Sequence, residues 1–313
     1  MEIRDLYGLT VALIGPAELA DEPWTRAPEH IDVVRMPEPP ADCWAGLASR
    51  GFVRKPTTVT WAAELRADEA EFMARLERSG RRDIRRARGR AKEADLRQVT
   101  EDPVSEATLD AFLKLYEERV GDMRFGVPFA LQYRDVILHG PDKFFGVFAF
   151  EGDELVGGTL VLERPADDTA VLRFSAVSAE WRKVSLARCL YPAAMDIARA
   201  KGYTRATLGN EPNLLGHLTR PGLLVFKTDL GFRAVPSQDF ADPQDTDEAD
   251  LVLSLAALND PTLILGYADQ ADPAERRLAG YLVSEAPVDP AVYAAPFLTA
   301  MHQQRPGGRA GPG

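Results

Sequence analysis

The chain has 313 residues, enough for two lobes with cores of their own. Its 45% hydrophobic and 27% charged content is that of an ordinary globular protein. A formal charge of −11 argues against a general nucleic-acid binder, whose affinity comes from neutralising phosphates. The charge is unevenly spread. Between Arg75 and Arg97 ten Lys/Arg stand against four Asp/Glu, so this stretch carries +6 and the remainder −17. A positive face on an acidic body suits one docked anionic ligand. Cys43 and Cys189 sit in no Cys-x-x-Cys pair, which argues against a disulfide or zinc site and fits a reducing cytoplasm. Met1–Asp5 has neither the basic nor the apolar region of a secretory signal, and no apolar run reaches the ~20 residues a membrane span needs. A cytoplasmic protein with no membrane partner is expected.

In chain order, residues 9–15 read as a buried strand closed by Gly15-Pro16. The Pro-rich stretch from Glu22 to Pro40 reads as loop with a short strand at 31–34. A short helix over 42–49 leads to a strand over 52–61. Phe72, Met73 and Leu76 predict a helix over 67–79, interrupted at Ser79-Gly80 and followed by a very basic helix over 82–93. After a strand at 96–99, Ser105 stands as N-cap of a helix carrying Leu109, Phe112, Leu113, Tyr116 and Val120 at helical spacing. Pro128 opens the next helix, through about Leu138.

The pattern then turns to strands. Residues 143–150 and 155–163 form a hairpin around Glu151-Gly152-Asp153-Glu154, and 170–177 form a third strand. A long helix buries Leu186, Leu190, Ala193 and Ile197 and closes at Lys201-Gly202. A strand at 204–209, a helix at 221–230 and a strand at 249–256 follow. Residues 260–300 show weak periodicity, and the terminal Arg-Pro-Gly-Gly-Arg-Ala-Gly-Pro-Gly is expected to be disordered. Gly51-Phe52 and Gly231-Phe232 both follow a helix and precede a strand, an echo that raises a truncated duplication.

Two helices, a hairpin, a strand, a helix opening on a basic turn, a strand and a closing helix–strand resemble the order of elements in GNAT acyltransferases. Arg81-Arg82-Asp83-Ile84-Arg85-Arg86-Ala87, Gly157-Gly158-Thr159-Leu160, and Phe226-Lys227 before Gly231-Phe232 resemble the FemABX-like branch, over roughly residues 65–245. The resemblance implies an α/β (α+β) fold with a mixed, mostly antiparallel sheet flanked by helices. It would place a smaller, degenerate GNAT-like lobe at 1–95, a catalytic lobe at 96–256 and an extension with a disordered tail at 257–313. The implied activity is amide formation, an aminoacyl group passing from aminoacyl-tRNA to a small-molecule or peptide amine. The alternative is an acyl-CoA-dependent N-acyltransferase. No tightly bound cofactor or metal is implied, and the composition points by association to natural-product biosynthesis.

Within that frame the candidate residues take roles. In acyl-CoA-dependent relatives a Gln/Arg-x-x-Gly-x-Gly/Ala turn cradles pyrophosphate on backbone N–H groups. Here the turn is Arg182-Lys183-Val184-Ser185-Leu186-Ala187, with serine where the first glycine belongs, so the anion site is kept but less suited to CoA. Lys227 would stabilise the oxyanion that develops as the amine attacks, and Phe226 would pack beside the acceptor or the terminal nucleoside. Arg81, Arg82, Arg85, Arg86 and Arg88 share a face suited to the phosphates of a tRNA acceptor arm. Glu211 and Asn213 stand at a strand end where substrates bind, and His217 is a candidate base in the neighbouring loop.

Overall fold

The computed structural model describes residues 1–6, 8–121, 127–214, 221–240 and 242–310. Two compact units emerge: Met1–Thr60 with Asn210–Phe226 and Ala234–Gly313, and Trp61–Gly209 with Lys227–Arg233. The boundaries read from sequence at 95/96 and 256/257 divide the chain differently. The segment set apart as a C-terminal extension belongs to the same unit as the N-terminal residues, because it supplies strands to that unit.

The first unit holds a five-stranded sheet in the order β1 (Glu2–Leu6), β2 (Leu9–Leu13), β3 (Val33–Pro37), β12 (Asp247–Val252) and β4 (Val53–Pro56). Only β2–β3 is parallel. Strands are numbered in chain order. Val33 and Val34 alternate between two apolar clusters, as successive strand residues must, so both faces of the sheet are covered. One cluster takes Leu47 from α1 (Trp44–Ser49), and the other takes Ile264 and Val283 from a second sheet. That sheet runs β13 (Thr262–Tyr267), β14 (Leu278–Val283), β15 (Met301–Arg305), β16 (Arg309–Ala310). The tail expected to be disordered instead pairs Arg305 with Arg309. The Gly307 N–H donates to the Val252 carbonyl at 2.8 Å, fastening this turn back onto the first sheet.

A buried ion quartet sits in the five-stranded sheet. Its register sets Arg35 opposite Asp250 and Lys55 opposite Glu248. Lys55 is fully buried, bonds Glu248 and lies 3.1 Å from Asp250, while Arg35 reaches Asp250 at 2.7 Å and Glu248 at 3.1 Å. Two cations thus neutralise two carboxylates that water cannot reach.

The seven-stranded sheet runs β11 (Arg233–Pro236), β5 (Thr58–Glu64), β10 (Arg205–Pro212), β9 (Thr169–Val177), β8 (Glu154–Arg164), β7 (Phe144–Glu151), β6 (Arg97–Glu101). The unit division falls within β5, β10 and β11. From β6 to β9 the ladder is antiparallel, and β9–β10 is parallel, so the expected mixed, mostly antiparallel sheet is present. The single strand predicted over 52–61 is two, β4 and β5, which break at Thr57 and join different sheets.

Gly157 and Gly158 show how helices cover this sheet. A Cβ on Gly157 would meet Leu186 and Leu190, both at the start of one helix; on Gly158 it would meet Phe112 and Phe148. Successive residues face opposite ways. Helix α4 (Glu106–Gly121) therefore lies on one face and α8 (Ala187–Ala200) on the other. The expected helix from Pro128 to Leu138 is two short turns, α5 (Phe129–Gln132) and α6 (Arg134–His139).

The basic segment differs from its prediction. Helix α2 (Glu69–Arg75) stops early, and α3 (Arg78–Glu93) runs straight through Ser79-Gly80, where a break was expected. The glycine is there for proximity. A Cβ on Gly80 would stand 2.3 Å from the carbonyl oxygen of Asp229 in α9 (Pro221–Asp229). Replacing Gly80 by alanine is expected to cost about 1–3 kcal/mol, because backbone must move to admit it. Thermal unfolding of the variant checks this; an unchanged midpoint would mean the two helices do not pack this closely.

Candidate active site

The end of α9 is fixed by local chemistry. Gly231 takes a left-handed φ of +81°, its N–H donates to the Thr228 carbonyl, and the Phe232 N–H reaches back to the Lys227 carbonyl. Gly51-Phe52 closes α1 by the same bonds, and so does Gly202-Tyr203 after α8. The repeated glycine–aromatic pair is thus a general helix exit rather than a mark of duplication.

The exit turns Lys227 inward. Its side chain is buried, with Nζ 4.5 Å from the ring centroid of the equally buried Trp61 on β5. A face of indole attracts an ammonium. Two residues on, Asp229 bonds Arg188 at 3.0 Å and accepts from Ser79 at 3.1 Å, a buried pair that ties α9 to α8 and α3. Lys227 is therefore mounted on a braced helix end. A cation so held can meet negative charge forming on a carbonyl oxygen without reorganising.

The turn before α8 is occupied by its own bonds. Arg182 and Lys183 lie on a separate short helix, α7 (Ala179–Lys183), both exposed, with Lys183 paired to Glu180. Ser185 has a φ of +60°, the left-handed conformation that glycine adopts freely, yet its hydroxyl does not cap α8. Ser185 N–H donates to the Arg182 carbonyl, Leu186 N–H to Trp181, Arg188 N–H to Ser185 and Cys189 N–H to Leu186. Of the five N–H groups from Ser185 to Cys189, four are spent within the turn. The Leu186 side chain is buried against Gly157, and its N–H is the one bonded to Trp181. Beyond the turn, the β9–β10 ladder covers only Arg205–Thr207 against Thr169–Val171, while both strands continue.

Of the arginine face, Arg81, Arg82 and Arg85 come together with Arg78 around a cleft of about 510 Å³. Arg81 also donates to the Leu76 and Ala74 carbonyls at the end of α2. Arg86 is exposed and lies outside the cleft lining, and Arg88 pairs with Glu69; both depart from the predicted face. Sequence reasoning missed Arg78, although it precedes Arg81, Arg82 and Arg85 by three, four and seven residues, one helical stripe.

The remaining candidates divide. Asn213 is a structural residue rather than a substrate contact. Its amide donates to the Pro56 and Leu265 carbonyls and accepts from the Leu265 N–H, so it bridges strands like a backbone group. Glu211 and Phe226 are half-buried, and His217 lies outside the described residues. Burial pushes the Cys189 thiol up to about 11. Among the described residues no helix is long and apolar enough to cross a membrane.

Residues 78–213 match the family described as an acetyltransferase (GNAT) domain. FemX is similar at 15% identity and a TM-score of 0.44, covering 80% of this chain and 83% of FemX. L-PGS from Bacillus licheniformis is similar at 12% identity and a TM-score of 0.41, over 79% of each chain. A tandem GNAT protein from the clavulanic acid biosynthesis pathway is similar at 12% identity and 0.38, over 71% of this chain and 64% of that one. No curated protein matches the chain.

Proposed function

We propose that the protein is an amide-forming N-acyltransferase of the FemABX-like kind, passing an aminoacyl group from aminoacyl-tRNA to an amine. The observation that carries this reading is where the chain keeps its capacity for anions. The turn that would cradle a CoA pyrophosphate has most of its N–H groups bonded internally, whereas Arg78, Arg81, Arg82 and Arg85 surround an open cleft. Guanidinium groups in a stripe along a helix suit successive phosphates of a nucleic-acid backbone. The acceptor arm would lie along α3, and Arg182 with Lys183 would add charge at a second point.

In the reaction, a neutral amine attacks the ester carbonyl, the carbonyl oxygen gains negative charge, and Lys227 stabilises it. The tetrahedral intermediate collapses to an amide and releases the ribose hydroxyl, which takes up the proton that the amine loses. An activated ester needs little beyond placement and a proton acceptor. Phe226 would contact the acceptor or terminal nucleoside, and Glu211 would contact the substrate. We place this work in the cytoplasm and in natural-product assembly.

A second reading, acyl-CoA as donor, is favoured by one observation: Ser185, standing where acyl-CoA-dependent GNAT enzymes carry a glycine, has a left-handed φ of +60° that glycine adopts freely. Salt separates the two. Binding of tRNA should weaken with log salt by about 0.9 per phosphate engaged, and replacing Arg82 and Arg85 by glutamine should lower that slope by about one to two. Fluorescence anisotropy with labelled tRNA measures it. A slope unchanged in the double variant would remove the arginine cleft from donor binding.

A further inference from the structure

Three side chains from distant parts of the first unit form a short chain of hydroxyls ending in an amide. Thr60 on β5 and Ser237 after β11 are both fully buried, and Asn210 on β10 is exposed. The Thr60 hydroxyl lies 2.6 Å from Asn210 Oδ1 and 2.9 Å from Ser237 Oγ. A carbonyl oxygen can only accept, so the one proton of Thr60 goes to Asn210. The Thr60 oxygen must then accept from Ser237, and the direction of the whole chain is determined.

The consequence falls on Asn210. With Oδ1 turned to Thr60, its Nδ2 is directed away, and two N–H groups are presented in one orientation from an exposed position. Asn210 stands beyond Thr207, the last residue of β10 paired with β9, and directly after Gly209, whose φ of +78° bends the strand. A fixed pair of N–H donors suits a partner that only accepts.

We propose that Asn210 is a substrate-binding residue that donates to an acceptor oxygen at the acyl-bearing end of the donor, and that Thr60 and Ser237 are positioning residues that fix its amide. The acyl-bearing donor rests on the acyltransferase reading above; the orientation of the amide does not. Glu211 and Asn213 lie one and three residues further on, so the sequence pointed at this segment but at its neighbours.

The test uses an uncommon feature of the composition. The chain has three asparagines, Asn210, Asn213 and Asn259, so protein labelled with 15N-asparagine gives three side-chain amide pairs. Two probes are titrated separately: a 3′-aminoacylamido-3′-deoxyadenosine, which mimics the charged tRNA end without a cleavable ester, and acetonyl coenzyme A, which carries a carbonyl that cannot be transferred. The first probe should shift the Asn210 pair and leave the buried Asn213 pair in place. Thr60→Val should weaken that binding by about tenfold, the worth of one lost hydrogen bond, and Thr60→Ser should restore it. A shift with acetonyl coenzyme A alone would keep Asn210 in its role while overturning the tRNA donor. No Asn210 shift with either probe would overturn the inference, whichever donor supports turnover. Unaltered affinity in a folded Thr60→Val protein would remove Thr60 as a positioning residue.

Discussion

Asp250→Ala should destabilise the fold by about 3–5 kcal/mol, which corresponds to a fall of roughly 10 °C in thermal midpoint for a protein of this size. The magnitude follows from what is left behind. Asp250 is fully buried and bonded by Arg35 and Lys55, and without it two cations share one carboxylate, Glu248. An unneutralised charge out of reach of water costs more than the pair ever contributed. The double replacement Lys55→Met with Asp250→Leu should therefore be milder than Asp250→Ala alone, since Arg35 and Glu248 still face each other at 3.1 Å. Acid should act in the same direction. Burial works to raise the Asp250 carboxyl, but Arg35 and Lys55 outweigh it and hold it below the ordinary value. Its contribution is present above the ordinary carboxylate pKa and is lost as pH falls through the depressed one. Melting curves of wild type, single and double variants check all three statements. A single variant as stable as wild type would mean the quartet is hydrated.

The second large effect is on turnover. Lys227→Met keeps most of the packing against Trp61 and removes the charge, so the protein should fold while kcat drops by about 10²–10³, the usual loss of one oxyanion stabiliser. The donor KM should change little, because the charge Lys227 meets exists only as the carbonyl is attacked. Steady-state kinetics beside a melting curve separates the two effects. Full turnover in the methionine variant would leave Lys227 as a helix-end lysine packed on an indole and nothing more.

What was legible in the sequence was local. The Lys227 helix, its glycine exit and the hairpin of β7 and β8 follow from residues a few positions apart, and these were read correctly. Contacts between distant segments were not. Gly80 resembled a helix breaker because its reason, the Asp229 carbonyl, lies about 150 residues away in the chain. Strand β1 escaped notice because Glu-Ile-Arg-Asp-Leu buries almost nothing and is held by backbone pairing to β2. The tail was read as disordered from its Gly and Pro content, yet Gly307 and Gly308 have left-handed φ values of +80° and +71°, which the tight turn uses. Asn213 and Asn210 are three residues apart in one polar loop-like stretch, and composition cannot separate the bridging amide from the exposed one.

Lys227 and the arginine cleft both presume an acyl ester delivered on tRNA. The direct measurement offers purified protein acetyl-CoA labelled in the acetyl group and, in parallel, a pool of labelled aminoacyl-tRNA, each with candidate amines. The label should leave tRNA and appear in an amide, with little loss from CoA. Transfer from CoA alone, with the charged tRNA untouched, would contradict the account.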